Sequence, residues 1–289
     1  MVRQRSPGAQ VKRRGHPGKG KNTILGNAAL TKDIGKTLRD WDYAPGHINA
    51  RWISGDDGQP RIQLRLDLGV LQMFPEDRPD GKKPFGFASL LGYYIHLEEN
   101  TQPDHPALDL NPDACMALLQ EAVQFYYRYI SFSALGYLDG VIDDTEHSLQ
   151  IFEFIARHAD DDEIVWQFFQ FFPYVRMMNA RAVSEKAVEE KNFDEAIEVV
   201  EAAIDDLRDF LEDFSDFEED EVCDELIMLQ DMLENLKKRK PKTKLERLQE
   251  NLDRAISVEN YERAALIRDE LNTIQATVKT KTARPVKTK

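Results

Sequence analysis

Cysteine is scarce in this 289-residue chain: Cys115 and Cys223 stand far apart and no Cys-x-x-Cys occurs. A disulfide framework and a zinc site of paired cysteines are excluded. No apolar run is long enough to span a bilayer, so no membrane partner is expected. The N-terminus is basic but no apolar core follows it, so it does not read as a secretory signal, and the expected location is cytoplasmic. The six histidines, His16, His47, His96, His105, His147 and His158, form no metal spacing such as His-Glu-x-x-His. There is no Gly-x-Ser-x-Gly elbow, and neither cysteine sits in a recognisable nucleophile context. The run GKGKNT at 18–23 lacks both the spacing of a phosphate loop and a preceding strand. The chain is therefore expected to be no enzyme and to hold no cofactor and no metal.

Charge is what the chain has in abundance. Fifty-two acidic residues against 38 basic ones leave a net charge of −14, the mark of a well-hydrated surface. The charge is unevenly placed. Arg3, Arg5, Lys12, Arg13, Arg14, Lys19, Lys21 and Lys32 all precede the first acidic residue, Asp33. The middle is acidic, most densely over 185–234, and the chain turns basic again at Lys237, Lys238, Arg239 and Lys240. This is an acidic body between basic arms.

Residues 1–30 have little apolar content and read as a disordered basic arm. Such an arm can neutralise phosphates without sequence readout, which makes weak nucleic-acid contact one reading; a solvated tail is the reading preferred. Residues 31–236 read as a mainly helical body with a small β-hairpin at about 48–73. Residues 48–53 and 61–66 alternate apolar with polar around the turn SGDDGQP, and the second strand is expected to run on through 70–73 with Gly69 as a bulge. The loop 74–86, with three prolines and two glycines, is expected to be polar, exposed and mainly a connector; it is also where a site would lie if there were one.

Helical patterning begins at Phe87. Asn111 and Pro112 open a longer helix to about Ala134, crowded with Phe125, Tyr126, Tyr127, Tyr129 and Phe132. These rings suit base or sugar stacking, but core packing is the preferred reading. Residues 163–178 are the most apolar stretch and are placed in the core, divided at Pro173. Small Ser184, Ala196 and Ala203 with large Phe193 resemble a tetratricopeptide helix pair, which makes the body helical-repeat-like without a regular array. Leu226, Leu229, Leu233 and Leu236 mark a further helix. The acidic clusters lack the spacing of a calcium loop and read as a solvated face.

A basic linker at 237–243 leads to 244–275, KLERLQENLDRAISVENYERAALIRDELNTIQ. Leu245, Leu248, Leu252, Ala255 and Ile256, then Tyr261, Ala264, Ala265, Leu271 and Ile274, have the helical spacing of an apolar face on either side of a polar break, with Asn260 suited to cap the second helix. Two antiparallel helices are expected, with Ala264 and Ala265 at their crossing. Residues 276–289 read as a disordered basic tail.

This stretch resembles the UVR motif, the helical hairpin shared by bacterial UvrB and UvrC and by some partners of Clp proteases. Asn260, Tyr261, Glu262, Ala264, Ala265, Arg268 and Asp269 carry the resemblance most specifically. It implies a hairpin that binds protein and performs no chemistry. Its implied partner-binding residues are Leu248, Leu252, Ala255, Tyr261, Glu262, Ala264, Ala265, Arg268, Asp269 and Leu271. Another UVR-containing protein or a second copy of this chain would be the partner. Arg268 and Asp269 either set register across the interface or are solvated. The function expected is that of a non-enzymatic adaptor, linked by the resemblance to nucleotide excision repair or to a Clp protease system; the alternative is a nucleic-acid-associated repair accessory that uses the basic arms.

Overall fold

The structure is a computed structural model that describes residues 34–100, 110–213, 223–242 and 244–282, with side chains to Thr273 in the last segment. The basic arm at 1–30 and the last seven residues lie outside it. The architecture is mainly α, with a small antiparallel sheet near the N-terminus and a helical hairpin at the C-terminus.

A single turn, α1 (Gly35–Leu38), leads to buried Trp41. The sheet follows as β1 (Ala50–Ser54), β2 (Pro60–Arg65) and β3 (Val70–Met73), in the order β1-β2-β3. Trp52 pairs with Ile62, and Gln63 with Gln72. The expected hairpin is thus a three-stranded meander. At the expected bulge the chain instead reverses: the Leu66 N–H donates to Gly69 O at 2.9 Å, and Leu68 at the tip is 88% exposed. One face of β2 sends Ile62 and Leu64 into a core with Tyr129, Phe132, Val141 and Met178. The other face holds buried Arg61, lying over the Phe74 ring, and buried Gln63, which accepts from Arg51 and donates to Gln72.

The helices are α2 (Leu90–Asn100), α3 (Pro112–Leu135), α4 (Leu138–His158), α5 (Asp162–Phe169), α6 (Phe172–Glu189), α7 (Phe193–Asp213) and α8 (Asp224–Arg239). Asn111 caps α3 by accepting from the Ala114 N–H at 2.9 Å, and Pro112 occupies its first turn, where a missing N–H costs nothing. Pro173 does the same for α6 and separates it from α5. Helices α3, α4, α6, α7 and α8 pack consecutively. Leu118, Ile151, Phe154, Ile155 and Phe168 fill one core cluster. Ala180, Ser184, Ala187, Ala196 and Ala203, all buried, let α6 and α7 approach closely, and α8 closes over them with Leu229 and Leu236.

α9 (Lys244–Ser257) and α10 (Tyr261–Thr282) complete the chain. α10 runs past Gln275, where the sequence pattern ends the hairpin, because no glycine or proline interrupts it before Pro285. The linker also differs from expectation. Lys237, Lys238 and Arg239 belong to α8, and Lys237 and Lys240 donate to Glu201 and Asp194 of α7 at 2.7 and 2.5 Å.

Candidate functional site

The C-terminal hairpin is built around its turn. α9 ends with Glu259 in the left-handed region, φ 57°. The Asn260 N–H donates to Ala255 O and the Glu259 N–H to Ile256 O, both at 2.9 Å, the pair of bonds that satisfies a helix's last carbonyls. Asn260 Oδ1 accepts from the Arg263 N–H at 3.2 Å and opens α10. The turn between α6 and α7 has the same design. Lys191 is left-handed at φ 64°, the Asn192 N–H donates to Ala187 O at 2.8 Å, and Asn192 Oδ1 accepts from the Glu195 N–H at 3.4 Å. An aromatic residue follows each asparagine, Phe193 or Tyr261, and a buried alanine, Ala196 or Ala264, lies on the next turn.

The two hairpins differ in what covers them. α8 lies across α6 and α7. Among the described residues, no element packs extensively on α9 or α10 besides the other helix of the pair. The ten residues singled out in the sequence divide accordingly. Ala255, Ala264 and Leu271 are buried, and Leu248 and Leu252 half-buried, between the two helices, where they hold the hairpin together. Tyr261, Glu262, Ala265, Arg268 and Asp269 are exposed. Ala265 therefore does not share the crossing with Ala264: one residue along a helix is a 100° rotation, which carries it to the outer flank.

Tyr261, Ala265 and Arg268 follow at i, i+4 and i+7 and form one exposed stripe. Leu266, 73% exposed, lies on the side opposite the buried seam, and Ile256 and Val258, 50% and 68% exposed, flank the turn. The spacing along α9 places Ile256 on the apolar face, but it stands 100° around the helix from buried Ala255 and is exposed; Leu266 and Val258 were missed as site residues, because the apolar periodicity that finds a helix finds its buried seam. Exposed charges surround them. Lys244 joins Glu270 of the other helix at 2.9 Å, and Arg268 stands 4.0 Å from Asp269. Lys242 donates to Glu250 at 2.6 Å and holds that carboxyl below its ordinary value.

The loop 74–86 is the second candidate, and it is docked rather than fully exposed. Buried Arg128 binds Asp144 through two hydrogen bonds, at 2.8 and 2.6 Å, and donates to the carbonyls of Phe74 and Asp77 at 2.9 and 2.8 Å. Pro79 is buried, and the Arg78 Nε, which makes no hydrogen bond, stands 3.6 Å from Glu121. Fully buried Glu121 accepts from the Leu90 and Leu91 N–H groups at 2.7 and 3.1 Å and pairs with His147 at 3.2 Å. Burial pushes the Glu121 carboxyl up, but His147 and the two N–H groups outweigh it and hold the group below its ordinary value. Burial raises Asp144, against the pull of Arg128. A cavity of about 340 Å³ lies beside this network, lined in part by the charged or titratable Glu76, Asp77, Arg128, Asp143, Asp144 and His147; of these, Arg128, Asp144 and His147 are engaged with one another or with Glu121. These three, with Glu121, clamp the loop and the start of α2 onto α3 and α4.

Among the described residues, no group of three or more His, Cys, Asp or Glu is placed to hold a metal ion, and no helix is long and apolar enough to cross a membrane. Comparison with protein families matches residues 242–277 to the UvrB/uvrC motif, the span of α9 and most of α10. Neither the curated proteins nor the solved structures provide a match to the chain.

Proposed function

We propose that this chain is a non-enzymatic adaptor whose UVR hairpin docks a protein partner through the outer flank of α10 and the apolar rim of its turn. One observation carries the reading. The hairpin repeats the turn of α6–α7, but no described element covers it as α8 covers α6 and α7, and Tyr261, Leu266, Ile256 and Val258 are exposed. Short helix pairs bury little apolar area, and an apolar rim of this kind favours an apolar-faced helix as its complement. Another UVR-type hairpin, including that of a second copy, has that character. A link to nucleotide excision repair or to a Clp protease system belongs to the same proposal and rests on the motif.

Neighbouring alanines provide the test. Ala265→Glu alters only the exposed flank and is expected to abolish partner capture from the native cell and self-association in sedimentation, with the circular dichroism unchanged. Ala264→Glu puts a charge into the seam and is expected to unfold the hairpin as well. Undiminished capture and association by Ala265→Glu would sink the proposal.

A further inference from the structure

A second cavity, of about 640 Å³, lies between α3, α6 and the start of α8, away from the hairpin's exposed flank. That volume is typical of a small-molecule site. Its walls include Tyr126, Tyr127, Tyr129, Tyr174 and Phe152, with Glu225 at the α8 side. The ring centroids of Tyr126, Tyr129 and Tyr174 form a triangle with sides of 5.5, 6.4 and 6.5 Å. Tyr129 is 1% exposed, whereas Tyr126 is 38% exposed, so the cluster runs from the core to an open rim.

Two features set this cavity apart from ordinary core packing. None of the four tyrosine hydroxyls bonds to another described residue, and those of Tyr127, Tyr129 and Tyr174 are not sealed from water, so these polar groups stay accessible at the cavity. Glu225 makes no ion pair with a described residue, and its hydrogen bond is the weak one from Cys223 Sγ at 3.7 Å. Among the described lining residues it is the only charged group. Arg181, which acts electrostatically on Tyr174, is itself paired with Glu185 at 3.1 Å. Burial raises the Tyr126, Tyr129 and Tyr174 phenols above their ordinary value, so they stay neutral and offer electron-rich faces and O–H groups.

We infer that this cavity is a binding site for a small organic cation with an aromatic or alkyl body. The body packs on the tyrosine and phenylalanine rings, the ammonium group sits against tyrosine faces, and Glu225 neutralises it. Aromatic faces attract quaternary ammonium groups through the ring quadrupole, most strongly where water is excluded. Among the described lining residues an anionic ligand has no cation to meet, and a polyol would find few of the planar polar side chains that bind its hydroxyls.

The test is titration of the full chain with benzyltrimethylammonium, followed by calorimetry and by tyrosine ring resonances, with neopentylbenzene as the uncharged isostere. Binding at about 1 mM or tighter is expected, with Tyr126 and Tyr174 signals moving, and at least about tenfold weaker binding of the isostere. Glu225→Gln, at an accessible position on α8, is expected to weaken the cation by about tenfold and leave the isostere unchanged. Tyr126→Ala, at the open rim, is expected to weaken both. Absence of binding by either probe overturns the site. Equal affinity for the two probes, or a Glu225→Gln variant that binds the cation as well as the native chain, overturns the ligand class.

Discussion

Glu121 joins several parts of the fold through one side chain. Its carboxylate caps the start of α2, pairs with His147 and faces Arg78, all with no exposure to water. A charge so placed is stabilising only while it stays ionised and fully bonded. Because its folded value lies below the ordinary glutamate value, its contribution is fully present above that ordinary value. It is lost as pH falls through the folded value. Glu121→Gln keeps the shape but loses the charge, and hydrogen bonds to charged groups are worth ~1.5–3 kcal/mol. Urea unfolding is expected to show Glu121→Gln less stable by about 2 kcal/mol at pH 7, with the gap narrowing steadily towards pH 3. A constant gap would mean that the charge is not what stabilises.

At the scale of elements, the two hairpins show how little sequence is needed to repeat a turn. Each uses a left-handed residue, an asparagine that caps the next helix, an aromatic residue and a small residue at the crossing. The left-handed position is Lys191 in one and Glu259 in the other, though glycine adopts that conformation without strain. The strain at a non-glycine residue is ~1–2 kcal/mol, and glycine's extra freedom in the unfolded chain takes back ~0.4–1 kcal/mol. The difference favours glycine. Glu259→Gly is therefore expected to stabilise the α9–α10 hairpin by ~0.5–1 kcal/mol, read as a two- to fivefold slowing, roughly, of amide exchange confined to those helices. Faster exchange there would contradict the cap geometry.

For the whole molecule, the question is how the hairpin is carried. Lys237 and Lys240 tie the end of α8 and the linker to Glu201 and Asp194 on α7, and all four side chains are substantially exposed. Exposed ion pairs are weak and fade when salt shortens the screening distance. Small-angle scattering is expected to show the radius of gyration rising between low salt and roughly 1 M salt, where the screening length falls to ~3 Å. Lys240→Glu, which sets like charges against each other at Asp194, is expected to produce the larger value at low salt already. Identical scattering under all three conditions would show that these pairs do not hold the hairpin.

The sequence by itself determined the elements whose signals are local. Asn111 and Pro112 began a helix, Pro173 divided one, the leucines of 226–236 drew a stripe, and residues 244–275 carried a hairpin whose motif is specific. In each case the deciding contacts lie within a turn or two along the chain, where periodicity and capping chemistry operate. Only the tertiary structure decided the rest. Nothing local joins Glu121 to Leu90, Arg128 to Asp144, or Tyr174 to Tyr126, and nothing local tells Ala264 from Ala265 or marks Leu266 as uncovered. Which face of a helix meets water depends on what lies across it. That is set by how distant segments pack, which spacing along one segment does not encode.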